Sequence, residues 1–175
     1  ALASAGPNSL GAYLVASAVD VGIAEGTAGL LAAAGSGTSL LARVALGERA
    51  DRRRDYGFGA VVALLAAGSG GFALLATGET APFVLGVFVA FALGWGWPGL
   101  FNLAVVDLNR NAPGAATGVT QTGIYVGAAA GPAAYGLVSA ELSYSAAWAA
   151  SGALCVVAAL AFVYAAKLAR GQVPA

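Results

Sequence analysis

The 175-residue chain is 59% hydrophobic and only 9% charged, against about 25% charged for a soluble domain, so lipid is the expected solvent for most of its length. Eight basic residues balance eight acidic ones, which leaves no net basic field to draw in nucleic acid. Histidine is absent and Cys155 is the one cysteine, which excludes His-dependent triads, most zinc sites and an internal disulfide framework.

A hydrocarbon core about 30 Å thick takes roughly 20 apolar helical residues to cross, and stretches of this kind recur along the chain. The first, 3–19, is weak and carries Pro7 and Asn8. The second, 27–46, has Arg43 one turn from its end, where a long side chain can snorkel to the interface. Segments 56–77, 82–106, 115–139 and 145–166 follow, and Cys155 falls in the last as a small apolar residue. Backbone groups in lipid must pair within a segment, and the alternating pattern of an outer-membrane barrel is missing, so each segment is expected to be a helix. The fold class that results is all-α: a polytopic membrane protein with one six-helix domain over 1–175. Position 1 is not methionine and residues 1–20 lack the positive start of a signal peptide, so the chain is expected to be a piece of something longer.

The linkers separate by charge. The first, third and fifth hold Asp20, Glu25, Glu79 and Glu141 but no Lys or Arg, whereas the second holds Arg49, Arg52, Arg53 and Arg54, the fourth Arg110 and the tail Lys167 and Arg170. With six alternating helices every basic residue falls on one side, which the positive-inside rule assigns to the cytoplasm together with both chain ends. Asp107 and Arg110 are close enough in sequence to pair.

Two stretches carry a family resemblance. "GERADRRRD" at 47–55 resembles the motif that the major facilitator superfamily places in the loop between the second and third helices of each six-helix half: Gly47, Ala50, Asp51 and Arg52 match it and Arg54 is a basic residue near its end. The departures are Arg49, and Arg53–Arg54 where the family has Gly-Arg. "GVTQTGIYVGAAAGPAAYG" at 118–136 sets Gly118, Gly127, Gly131, Pro132 and Gly136 on that family's glycine-rich fifth-helix pattern, with Tyr135 the one departure. In physical terms Gly123, Gly127 and Gly131 recur every four residues, a bare face for close helix approach, and Pro132 removes one backbone donor and invites a bend. The resemblance implies one half of a twelve-helix transporter. It implies the C-terminal half, because the N-terminal half's fourth helix carries an arginine that 82–106 lacks, and "GWGWPGLFNLAVV" looks like the tenth helix.

The resemblance also implies a first and fourth helix facing a central cavity, a second and fifth flanking it, and a third and sixth facing lipid. Candidate substrate contacts are then Asn8 and Tyr13 on the first helix, Trp95, Trp97 and Asn102 on the fourth and Gln121 and Tyr125 on the fifth; Ser17, Ser36, Thr38 and Thr120 are smaller polar neighbours. Gln121 and Tyr125 share a helix face, suited to bonding and stacking on one ligand. Pro98 is placed to break the fourth helix at cavity depth. The implied role of Gly47, Asp51, Arg52 and Arg54 is a cytoplasmic latch between halves, built from charge–dipole and ion-pair contacts.

The function this implies is secondary active transport of a small molecule by alternating access, not enzymatic chemistry. Proton-coupled efflux of drug-like compounds or metabolites is the favoured form, because the candidate cavity is aromatic and uncharged. No acidic residue falls mid-segment, so a proton-carrying carboxylate is expected in the other half. The partners are the lipid bilayer, that other half, the substrate and protons; no cofactor, metal or nucleic acid is expected. The location is the plasma or inner membrane. The alternative is a self-contained six-helix scaffold or channel, although no filter or charged ring is visible.

Overall fold

A computed structural model of the chain describes residues 1–53 and 57–171. Its elements are α1 (Leu2–Asp20), α2 (Glu25–Arg53), α3 (Phe58–Leu75), α4 (Thr80–Val89), a π-helical turn (Ala90–Gly94), α5 (Trp97–Leu108), α6 (Pro113–Glu141) and α7 (Tyr144–Gly171). With α4, the π turn and α5 stacked as one interrupted rod, the described chain forms six rods.

Backbone capping sets where the rods stop. At the end of α1 the chain reverses through Gly22, whose φ of 88° suits glycine. Its N–H bonds the Val19 carbonyl at 3.0 Å and the next N–H, of Ile23, bonds the Ala18 carbonyl at 3.0 Å. This is a Schellman closure, completed by the buried pair Ile23 and Ala18.

The second rod departs from the sequence reading. It does not end near residue 46 but continues as α-helix to Arg53, so Gly47, Asp51 and Arg52 lie on a helix rather than in a loop. Glu48 and Arg52, one turn apart, pair across the exposed side, Ala50 is buried, and Ala, Glu and Arg favour helix intrinsically. Arg54 and Tyr56 lie outside the described residues. The extension also moves Arg43 away from a helix terminus, where it was expected to snorkel.

The fourth rod is interrupted where Pro98 leads one to look. A proline cannot donate a hydrogen bond, and its ring crowds the carbonyl four residues back, here that of Gly94. The regular helix accordingly gives way to a π turn ending at Gly94, a turn at Trp95 and Gly96, and a fresh start at Trp97 with Pro98 in its first turn. The π geometry marks strain of a kind often kept at functional sites.

Small residues let the rods touch through their backbones. A β-carbon on Gly68 of α3 would lie 2.5 Å from the Gly94 Cα, and one on Gly71 would lie 2.5 Å from the Ala90 nitrogen. The most extensive contacts are between α3 and α7 and between α1 and α6.

Two core layers result. One contains Leu10, Leu14, Phe72, Leu75, Phe83, Val87, Tyr135 and Trp148. The other gathers Ala3, Ala50, Val61, Leu65, Trp97, Phe101, Val105 and Ala158. The second layer draws on the start of α1, the end of α2, the start of α3 and α5 along its length, which is how alternating rods bring their odd and even ends together. The break in the fourth rod falls between the layers: Phe91 belongs to the first and Trp97 to the second.

Among the described residues, four stretches are long and apolar enough to cross a membrane: Glu25–Arg52, Phe58–Leu75, Thr80–Leu108 and Tyr144–Lys167, with mean hydropathies of 1.3, 2.0, 1.7 and 2.1. α1 carries Ser4, Pro7, Asn8 and Ser9, and α6 carries Thr117, Thr120, Gln121 and Thr122 among glycines. Those polar residues are what set the remaining two rods apart from the four. The exposed side of α3 consists of Gly59, Ala63, Ala66, Ala67, Gly70 and Ala73, a narrow apolar surface.

Candidate functional site

The break in the fourth rod faces α2 across a cavity of about 280 Å³, whose walls include Arg43, Leu46, Gly47 and Asp51 of α2 and Gly96 and Gly99 at the start of α5. Gly96 has no space for a side chain: a β-carbon there would lie 2.5 Å from the Ala92 carbonyl oxygen and 3.0 Å from Leu46 Cδ1.

Arg43 spans this gap. Its Nε donates to the Trp95 carbonyl oxygen at 3.1 Å, and its guanidinium carbon lies 5.0 Å from the centroid of the Trp95 ring. An arginine inside a membrane segment costs about 2.5–3.5 kcal/mol on insertion scales. A charge-assisted bond to a carbonyl and a cation–π contact, the latter contributing about 0.5–2 kcal/mol, offset part of that. Arg43 is exposed in this six-rod unit, and Ser36, two turns back on the same helix face, is exposed as well. Leu40 between them is 64% exposed and the Ser36 hydroxyl donates to the Ala32 carbonyl oxygen of its own helix, so Arg43 is the one charged group on a largely apolar stretch of that face.

Asn102 and Gln121, candidates from two different segments, do come together: Gln121 Nε2 donates to Asn102 Oδ1 at 3.4 Å, both half-buried at the seam of α5 and α6. Tyr125, one turn on from Gln121, is 69% exposed. Asn8 donates from Nδ2 to the Ser4 carbonyl oxygen of its own helix at 2.7 Å. Tyr13 stacks on Tyr135 with ring centroids 4.7 Å apart, at the head of an aromatic series that continues to Trp148 and Phe72. Its hydroxyl sits against Gly136, where any side chain would collide with it.

The two tryptophans part company. Trp95 is half-buried and lies under Arg43, whereas Trp97 is 1% exposed and packs against Phe101 and Phe162, inside the second core layer.

The glycine pattern of α6 divides in the same way. Gly127 meets Ala1 and Ser4, and Gly131 meets Ala5, so α1 lies directly on these two positions. Ser4 strengthens the seam by donating from Oγ to the Ile124 carbonyl oxygen at 2.8 Å. Gly118 has nothing within 4 Å. α6 continues as helix past Pro132 to Glu141.

In the basic motif, Arg52 pairs with Glu48, and Asp51 is exposed along the cavity wall. The Asp107–Arg110 pair expected from spacing forms at 3.3 Å. Arg43, expected from the sequence to snorkel to the interface, instead reaches the Trp95 carbonyl at the cavity. The available signal was a lone charge between two apolar runs, LLA before and VAL after.

Among known families, the model described as Major Facilitator Superfamily matches residues 1–174. The chain belongs to the Major Facilitator Superfamily. No curated protein and no solved structure matches it significantly. As a superfamily member with apolar spanning helices it is an integral membrane protein of a family that carries small molecules across membranes. Within the superfamily fold, the motif beginning at Gly47 and the glycine pattern beginning at Gly118 are the two stretches on which the sequence resemblance rested.

Proposed function

We propose that this chain is the C-terminal six-helix half of a secondary transporter that moves a small molecule by alternating access, rocking against a partner half around a midplane site. The observation that carries the reading is the interrupted fourth rod, broken at Gly94–Gly96 about halfway along its length and bordering the cavity that Arg43 and Asp51 also line. Irregular backbone at membrane depth is tolerated where it borders a cavity, and discontinuous helices form transporter binding sites for that reason.

In this reading all six rods cross the bilayer, the basic ends lie in the cytoplasm and the membrane is the plasma or inner membrane. Asn102, Gln121, Tyr125, Trp95 and Asn8 contact the substrate directly; Tyr13 and Trp97 act from the packed layer behind them. Gly47, Asp51, Arg52 and Arg54 form the cytoplasmic latch, and Gly118, Gly127, Gly131, Pro132 and Gly136 form the packing face that bends during the cycle. Transport is driven by protons carried on the other half, in the direction of efflux, with drug-like compounds or metabolites as substrates.

The test is flux through the full-length protein in proteoliposomes, with and without a pH gradient. Accumulation against a concentration gradient that collapses with the pH gradient supports the proposal. Flux that only ever equilibrates the two sides indicates a channel, and no flux indicates a scaffold.

A further inference from the structure

We propose that Arg43 is the substrate-anchoring cation of this transporter, and that the molecule carried is a small organic monoanion with a short apolar body. The inference rests on the transport reading above and gives the substrate its chemical class.

Arg43 lies five residues before Glu48, the first charge of the basic motif, which is about 7.5 Å along the helix axis at 1.5 Å per residue. The group it touches, the Trp95 carbonyl, lies twelve residues before Asp107, about 18 Å along the fourth rod by the same rise. The guanidinium therefore sits at the level of the helix break, well inside the membrane segment of its neighbour. A guanidinium carries five N–H donors. Nε is taken by the Trp95 carbonyl, and among the described residues the terminal nitrogens make no hydrogen bond and no carboxylate pairs with Arg43.

One group in the cavity does carry negative charge, and it stands apart: Asp51 is eight residues further along α2 on the same cavity wall, about 12 Å away by helix rise. That separation leaves the Arg43 end positive and the motif end negative. A cation whose forked donors are held in place and unspent, on the wall of a cavity, is matched by the planar oxygens of a carboxylate.

The rest of the cavity limits the remainder of the molecule. Leu46, Leu100 and Leu103 with three glycines give an apolar surround of about 280 Å³, space for a short hydrocarbon or aromatic body. One cation with Asp51 beyond it favours a single negative charge over two. Besides its contact with the substrate, Trp95 fixes the guanidinium plane through its carbonyl and ring.

The full-length transporter in proteoliposomes tests this with a charge series of comparable size: labelled butyrate and benzoate as monoanions, succinate and inorganic phosphate as multiply charged anions, butyramide as the neutral analogue and butylamine as the cation. The expected result is saturable uptake of a monocarboxylate and none of the amide or amine. Arg43→Gln raises KM at least tenfold with a smaller change in kcat, and Arg43→Lys recovers part of the loss. Equal uptake of butyramide and butyrate, or a monocarboxylate KM that Arg43→Gln leaves unchanged, overturns the assignment while leaving transport intact. Preference for succinate or phosphate overturns the single-charge assignment. The wild-type charge series decides the question even where a variant fails to fold: no flux of any member overturns this inference, while flux of a larger drug-like compound in the same vesicles keeps the transport reading.

Discussion

The seam between α1 and α6 and the seam between α2 and the fourth rod are built from the same small residues to opposite effect. At the first, Gly127 and Gly131 receive Ala1, Ser4 and Ala5 with no space left over. At the second, Gly47 and Gly99, where an added β-carbon would meet nothing within 4 Å, border a cavity of about 280 Å³ bridged by one arginine. Glycine in a membrane helix permits close approach but does not require it; what fills the bared surface decides whether the seam is closed or open. The closed seam belongs to the framework of the bundle, and the open one has the properties of a site.

The sharpest way to break this distinction is to add bulk. Gly131→Leu drives a side chain into the Ala5 backbone and should destabilise by about 3 kcal/mol or more, at or beyond the upper end of overpacking costs. The result would be loss of monodisperse protein and of the thermal transition. Gly118→Leu, in the same helix but with nothing within 4 Å, should leave the melting temperature unchanged; equal damage at both positions would remove the contrast between packed and open glycines.

A smaller effect separates the two tryptophans. Trp97→Ala empties part of the second core layer and should cost about 3 kcal/mol, in the range for large-to-small core substitutions. Trp95→Ala should shift the melting temperature far less and act on substrate KM instead. Stability losses of the same size would place both rings in the framework.

Below that comes the seam of α5 and α6. Asn102→Ala removes the bond from Gln121 and should cost about 0.6 kcal/mol, typical of interhelical bonds in membranes, seen as a small drop in thermal midpoint. The smallest effect is expected from Glu48→Gln, which breaks an exposed pair with Arg52 worth about 0.3–0.5 kcal/mol. Fraying of α2 beyond residue 46 on that change, followed by hydrogen exchange, would show the pair to matter more than its exposure suggests.

The all-helical, membrane-embedded character was legible because lipid forces it: long uncharged runs cannot stay unpaired in hydrocarbon, and helix is how a single segment pairs itself. Pro98 likewise announced a break because its lost donor and ring fall where Gly94 and Gly96 already weaken the helix, whereas Pro7 and Pro132 lie inside helices that run on. The course of α2 past residue 46 was not legible. The motif reads as a loop by its charge, yet Glu48–Arg52 pairing and burial of Ala50 carry the helix through it. Arg43 was misjudged for the same reason: its place relative to a helix end depended on where that end falls, and its partner lies 52 positions away on another rod. The split between Trp95 and Trp97 depended on the turn at the break, which rotates two neighbouring aromatic residues to different surroundings.

The uninterrupted run of α2 from the cavity to Arg53 also makes it a lever. Ten residues separate Arg43 from Arg53, an arm of about 15 Å at helical rise, so a tilt of about 10° at the guanidinium sweeps the far tip sideways by about 2.6 Å. A displacement of that size is comparable to a hydrogen-bond length. A tilt at the gap beside Trp95 is thereby carried to the arginines at the far end of α2, with no break in the helix between to absorb it.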